Sequence, residues 1–126
     1  MQTENSRRVL VVEDDPVVAM VIEDTLEAMG LGVLVDLNLV DALNDVEASP
    51  FDAAMIDVGL RGENAWPVMV SLQKRGIPFV VMSGGDLTAL AEEFPQVRMI
   101  NKPVSVEMLQ QIVRELLAPH HAPSRP

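Results

Sequence analysis

Acidic side chains follow two of the short apolar runs in this sequence. Glu13 and Asp14 come directly after Val9–Val12, and Asp57 comes directly after Ala53–Ile56. Runs of this length are typical of buried parallel strands, and a doubly wound sheet binds its ligands beyond the carboxyl ends of its strands. We therefore expect the three carboxylates to share one pocket. Such a pocket requires a cation, and one of its carboxylates has the chemistry of a nucleophile.

Five short apolar runs alternate along the chain with segments of helical periodicity. This alternation is typical of βαβ units and predicts an α/β fold, a doubly wound parallel sheet of five strands with helices on both faces. The expected strands are Val9–Val12, Val33–Val35, Ala53–Ile56, Phe79–Met82 and Val97–Ile100.

Capping residues mark the ends of the expected helices. The first helix should begin at Asp15 and Pro16, a good cap followed by a good first residue, and should end at Gly30. A cap role is the more natural interpretation of Asp15 than a role as a metal ligand. The fourth helix, between Asp86 and Pro95, should be short. The expected caps of the second, third and fifth helices are Asn38, Asn64 and Ser105.

Composition restricts the possible functions. The chain has 126 residues, 48% of them hydrophobic, which suits one packed domain; we expect it to span residues 8–118, between flexible ends at 1–7 and 119–126. The net charge of −10 argues against binding to nucleic acid. No apolar run approaches the length of a membrane span, so no membrane partner is expected. Cysteine is absent, which excludes disulfides and thiol chemistry and fits a cytoplasmic location.

Taken together, these motifs resemble those of the receiver domain of two-component response regulators. The resemblance extends over about Arg8–Leu117 and implies a flavodoxin-like sheet with strand order 2-1-3-4-5. Each motif alone is weakly specific, but four of them occur in order, each at the end of an expected strand. The residues that carry the resemblance are Glu13-Asp14, Asp57, Ser83 and Lys102-Pro103.

The resemblance implies that Asp57 accepts a phosphoryl group. A carboxylate is already deprotonated at neutral pH and requires no general base. Its difficulty is repulsion between two anions, which a divalent ion, Mg2+, would offset. The expected ligands are Asp14 directly, Glu13 through water, Asp57 and the main-chain carbonyl of Gly59. Oxygen coordination completed by water is typical of Mg2+.

The same resemblance assigns the remaining site residues. Lys102 should supply a positive charge to the phosphoryl oxygens, Ser83 a hydroxyl donor, and Gly84 space and a backbone N–H. In the family, the hydroxyl residue and an aromatic residue three positions before the lysine move together as a switch. Here that second position is Met99, which has no ring, so the route from phosphorylation to the surface is expected to differ.

A second departure concerns the lifetime of the phosphorylated state. The residue two positions after the acceptor, Gly59, has no side chain with which to shield an acyl phosphate from water. We expect access to be controlled by Arg61 or Glu63 instead, and Gly59→Asn to change the lifetime.

The function that these residues predict is a stand-alone switch that takes a phosphoryl group from a histidine kinase or a phosphotransfer protein. Output would occur through contact with a protein that the sequence does not identify, or the domain would act as a phosphate sink. By the resemblance, the first helix should bind the donor, and the fourth helix, fifth strand and fifth helix should form the output face.

Two alternatives belong to other classes. One is a receiver-like binding module that works without phosphorylation, which Met99 and the short fourth helix leave open. The other is an aspartate-based phosphohydrolase. That class places a second acid two residues after its nucleophile, and here Gly59 occupies the position after Asp57 and Val58.

Overall fold

The computed structural model describes residues 7–58 and 65–118. Five strands alternate with five helices in these ranges, as the sequence predicts. The elements are β1 (Arg8–Val12), α1 (Pro16–Ala28), β2 (Gly32–Asp36), α2 (Leu39–Ala48), β3 (Ala53–Asp57), α3 (Trp66–Lys74), β4 (Phe79–Ser83), α4 (Thr88–Glu93), β5 (Arg98–Asn101) and α5 (Val106–Leu117).

The strands form one parallel sheet in the order β2-β1-β3-β4-β5. This confirms the predicted flavodoxin-like topology. The last residues of neighbouring strands lie in register or nearly so: Val12 pairs with Asp36, and Ser83 pairs with Asn101. The loops that follow β1, β3, β4 and β5 therefore emerge at the same edge of the sheet, which brings the candidate site residues together.

Alternate residues of the central strands pack into two hydrophobic cores, one on each face of the sheet. Val9 and Val11 face α1 and α5, whereas Leu10 and Val12 face α2 and α3. All four side chains are fully buried. Because each such burial stabilises the fold by about 1.5–3 kcal/mol, the strand ends are fixed in position by packing on both sides.

The expected helix ends are largely confirmed. Asp15 Oδ1 accepts hydrogen bonds from the backbone N–H groups of Val17 (2.9 Å) and Val18 (3.4 Å), so Asp15 caps α1. Gly30, with φ of +86°, adopts the left-handed conformation after α1 that glycine tolerates best.

Of the other three predicted caps, those of α2 and α5 are confirmed and that of α3 is wrong. Asn38 and Ser105 accept hydrogen bonds from the backbone N–H groups of the third residues of α2 and α5. The cap position of α3 is occupied by Ala65, not Asn64, so that helix begins one residue later than expected. Asn64 itself lies outside the described residues, as do the expected flexible ends apart from Arg7.

Helix α4 is short, as its sequence predicts. Asp86 Oδ1 accepts hydrogen bonds from the N–H and the hydroxyl of Thr88. The helix ends at Glu93, with Phe94 as its C-cap, because Pro95 cannot continue it. Within the described ranges, no helix combines the length and the apolar character needed to cross a membrane.

Candidate functional site

The three predicted carboxylates meet at the carboxyl edge of the sheet. Asp57 is the last residue of β3 and is 4% exposed, and Glu13 follows β1 and is fully buried. Asp14 is half-buried beside them. Each contributes a carboxylate oxygen to a group whose atoms all lie within 4.8 Å of one another. The pocket expected from the strand ends is therefore present.

Lys102 extends from the loop after β5 into this group. Its Nζ lies 3.0 Å from Asp57 Oδ2 and 3.2 Å from Glu13 Oε1. The backbone N–H of Lys102 donates to the carbonyl of Ser83 (2.9 Å), which extends the pairing of β4 and β5 by one residue. The Lys102-Pro103 peptide bond is cis. One ammonium group thus bridges two carboxylates at the ends of different strands, Glu13 after β1 and Asp57 at the end of β3.

The charges in the pocket perturb one another. Burial raises the pKa of Glu13 to about 7, and a hydrogen bond and charge repulsion from Asp57 act in the same direction. Burial lowers the pKa of Lys102, but its hydrogen bonds to Asp57 and Glu13 outweigh this effect and raise the pKa overall. Among residues 7–58 and 65–118, Lys102 contacts two of these carboxylates, and the three carboxylates concentrate negative charge at this edge when all are ionised. That charge favours a bound cation.

The residues fit Mg2+ in both donor type and arrangement. The donors among the described residues are carboxylate oxygens, the ligand type that Mg2+ prefers, and Asp14 is the most exposed of the three. The fourth expected ligand, the carbonyl of Gly59, lies outside the described residues, and so do Arg61 and Glu63.

Ser83 ends β4 at the same edge and is 7% exposed. Its Oγ accepts a hydrogen bond from the N–H of Gly85 (3.0 Å), which leaves the hydroxyl hydrogen available for donation. A Cβ at Gly84 would meet nothing within 4 Å among the described residues, whereas one at Gly85 would lie 3.7 Å from Ser83 Oγ.

Met99, the proposed second member of the switch, lies in the middle of β5 opposite Val81. It is partly buried and packs against the hydrophobic core that faces α2 and α3. Its location is that expected from the sequence, and its part in a switch stays a proposal.

One buried acid at this edge was not predicted. Asp36 ends β2, is 7% exposed, and has a carboxylate oxygen, Oδ2, without a hydrogen-bond partner among the described residues. Burial raises its pKa to about 7, together with a hydrogen bond to Asp45 and the charges of Asp45 and Asp41. Its carbonyl accepts the N–H of Glu13 (3.0 Å). The sequence did contain a signal for this site, since Asp36 directly follows the apolar run Val33–Val35, just as Asp57 follows its own run.

An apolar groove adjoins the pocket between α1 and α5. It has a volume of about 450 Å³, and Glu13 and Lys102 are among the residues that line it. Val17 and Val21 of α1 and Val106 of α5 form its rim, and these side chains are 65%, 50% and 44% exposed.

Comparison with known proteins places this geometry in a family. Residues 9–114 match the model of the response regulator receiver domain. Over 116 residues, the chain is 31% identical to the sensor histidine kinase GacS of Pseudomonas protegens, an alignment that covers 84% of the chain but only 13% of the kinase. The chain thus spans about an eighth of the length of that relative.

Two solved structures have the same fold. The solution structure of SdrG from Sphingomonas melonis is 33% identical, with a TM-score of 0.76 over 94% of this chain and 100% of that one. The second is the receiver domain of the sensor histidine kinase PA1611 from Pseudomonas aeruginosa, which has a magnesium ion coordinated in its active-site cleft. It is 22% identical, with a TM-score of 0.77 over 90% of this chain and 99% of that one. With the family model, these likenesses show that the chain belongs to the response regulator receiver domains of two-component signalling.

Proposed function

We propose that this receiver domain accepts a phosphoryl group on Asp57 from a histidine kinase or a phosphotransfer protein in the presence of Mg2+. It then signals by protein contact or acts as a phosphate sink. The observation that carries the proposal is the arrangement around Asp57, in which Lys102 Nζ lies 3.0 Å from Oδ2 and the carboxylates of Glu13 and Asp14 lie beside it.

In the transfer step, a carboxylate oxygen of Asp57 forms a bond to phosphorus as the bond between phosphorus and the donor's histidine nitrogen breaks. The imidazole that leaves takes up a proton. Asp57 requires no base because its reactive form is the carboxylate. Lys102 already donates to Asp57 Oδ2, and the same ammonium group can donate to a phosphoryl oxygen once the new bond has formed.

Glu13, Asp14 and Asp57 would hold the metal ion. When bound, Mg2+ neutralises negative charge that would otherwise repel the approaching phosphoryl group. The close grouping of the three carboxylate oxygens supports that assignment, and the PA1611 receiver domain has a magnesium ion in its active-site cleft.

Ser83 is proposed to donate its hydroxyl hydrogen to a phosphoryl oxygen. That donation is compatible with the hydrogen bond that Ser83 Oγ accepts from Gly85, because a hydroxyl donates and accepts at the same time. Without a side chain, Gly85 leaves the Ser83 hydroxyl open on the side where a Cβ would lie 3.7 Å from Oγ.

The groove between α1 and α5 is the proposed contact surface for the donor. Glu13 and Lys102 line this groove and also contact one another in the Asp57 site, so a donor helix in the groove would lie next to that site. The exposed valines of the rim, Val17 and Val21, suit the apolar face of such a helix.

The test is the intact mass of the protein after incubation with acetyl phosphate, with and without Mg2+. The expected result is a gain of one phosphoryl group that requires the metal and is lost in Asp57→Asn. Asp24→Asn, a change of an exposed aspartate on α1, serves as the matched control. A parent protein that binds Mg2+ but gains no phosphoryl group from acetyl phosphate or from a phosphohistidine donor would contradict the proposal. That result would favour a binding module that works without phosphorylation.

A further inference from the structure

Helices α2 and α3 leave an open groove between them, on the face of the sheet opposite α1 and α5. Its volume is about 960 Å³. Leu43 of α2 and Trp66 and Val70 of α3 line it, and these three side chains are only half-buried although they pack against the hydrophobic core beneath. The groove therefore presents a strip of apolar surface to the solvent.

Positive charge lies at the end of the groove next to the carboxyl end of α3. Lys74 and Arg75 are adjacent and exposed there, and the lining also includes one exposed acid, Glu47 of α2. Among residues 7–58 and 65–118, neither cation forms an ion pair. The Nε–H of Arg75 donates to Ser71 Oγ (3.4 Å), and Ser71 lines the groove as well. Two unpaired cations thus lie beside the apolar strip, on a chain whose net charge is −10.

The spacing of these groups along α3 suits a helical ligand. Trp66, Val70 and Lys74 follow one another at intervals of four residues, so they share one face of α3 and span about 12 Å, or two turns. A helix in the groove would pack apolar side chains from two successive turns against Trp66 and Val70. A carboxylate on its next turn would then lie beside Lys74 and Arg75, and a guanidinium binds a carboxylate through two parallel hydrogen bonds.

We propose that the groove between α2 and α3 binds an amphipathic helical segment of a partner protein, apolar along one face and acidic where it meets Lys74 and Arg75. Charge complementarity selects this occupant, because these two cations have no acidic partner of their own within the described part of the chain. The groove and the proposed donor surface lie on opposite faces of the sheet, so both can be occupied at once. None of the groove residues belongs to the phosphorylation site, and the contact is therefore independent of the function proposed above.

Titration with a synthetic peptide tests the contact. The probe is a helical peptide of about 15 residues that has leucines on two successive turns and two glutamates on the next turn. Binding is measured by the anisotropy of a dye on the peptide and by the fluorescence of Trp66, the only tryptophan of the chain. We expect saturable binding of one peptide per chain, with a change in Trp66 emission. The affinity should fall about tenfold in the double variant Lys74→Glu, Arg75→Glu, and also when glutamine replaces the glutamates of the peptide.

Arg114→Glu is the matched control, since it reverses an exposed charge on α5, on the other face of the sheet. It should bind the peptide as the parent does, and so should Asp57→Asn. If the double charge reversal disturbs folding, Lys74→Gln with Arg75→Gln removes the same charges and should also weaken binding.

Three results would overturn the proposal. The first is the absence of saturable binding by the parent protein. The second is equal binding of the acidic and the glutamine peptide, because adhesion to apolar surface alone requires no charge. The third is loss of binding in Val21→Glu with full binding in the variant of Lys74 and Arg75, which would place the peptide in the groove between α1 and α5 instead.

Discussion

Lys102 Nζ lies 3.0 Å from Asp57 Oδ2. Asp57 ends β3 and Lys102 follows β5, and β4 lies between these two strands in the sheet. The lysine reaches this position because its backbone pairs with Ser83 and its side chain also contacts Glu13. One ammonium group therefore partly compensates two buried carboxylates. The fold brings into contact groups that would be costly to bury apart, so the stability of the pocket should depend on its ionic surroundings.

Lys102→Met should reduce the rate of phosphoryl uptake from acetyl phosphate by roughly 10²-fold, because a donor to the developing negative charge is lost. Without Mg2+, the same change should also lower the free energy of unfolding, since Asp57 and Glu13 lose their counter-charge. The measurements are the time course of intact mass and urea denaturation in EDTA. Lys74→Met, which removes an exposed lysine at the end of α3, should alter neither quantity. An uptake rate unchanged in Lys102→Met would contradict the role given to the lysine.

Mg2+ should stabilise the folded protein, because only the folded chain brings the oxygens of Glu13, Asp14 and Asp57 together. At a concentration 100 times the dissociation constant, the expected gain is about 2.7 kcal/mol. Asp14→Asn should remove most of this gain, and it should itself stabilise the metal-free protein by reducing repulsion. Urea denaturation with Mg2+ and with EDTA measures both effects, with Asp24→Asn as the control. A parent protein insensitive to Mg2+ would count against the whole site.

The stability of the metal-free protein should depend on pH through the two acids whose pKa is raised. In the folded state, the pKa of Glu13 is raised from 4.5 to about 7, and that of Asp36 from 3.8 to about 7. Between those limits the folded chain binds more protons than the unfolded chain, so these groups lower the free energy of unfolding as pH rises from about 4 to about 7.

The variants Glu13→Gln and Asp36→Asn isolate this effect, because each removes one of the two titrating groups. In urea denaturation at pH 5 and pH 8 in EDTA, the parent protein should lose stability relative to each variant as pH rises, by up to about 3 kcal/mol. Asp24→Asn should follow the parent at both values of pH. Parallel pH profiles for the parent and Glu13→Gln would show that Glu13 has no raised pKa.

Sequence reasoning was accurate where the cause is local or set by topology. The caps at Asp15 and Ser105 and the left-handed Gly30 depend on residue type alone. Proximity of Glu13 to Asp57 follows from the parallel sheet, because strand ends at one edge are neighbours whatever their separation in the chain.

What escaped prediction depends on packing between distant segments. Asp36 is buried with Asp45 nearby, and nothing in the run "GVLVD" indicates that α2 would place a second acid there. The contact of Trp66 with Phe94 joins α3 to the end of α4, and neither ring belongs to a periodic pattern. Such pairs are fixed by how helices pack on the sheet, which propensities and spacing do not specify.

Val21→Glu should separate docking of the protein donor from the chemistry at Asp57. The side chain of Val21 is 50% exposed on the rim of the groove, so the change should leave folding and uptake from acetyl phosphate unaltered. Transfer from a phosphohistidine protein that phosphorylates the parent should slow at least tenfold, because a charge enters the apolar contact. Val40→Glu, on α2 and 67% exposed, is the control and should transfer normally. If phosphoryl uptake slowed equally from acetyl phosphate and from the phosphohistidine protein, Val21 would be shown to support the pocket itself. If uptake slowed from neither donor, the docking surface would not lie on α1.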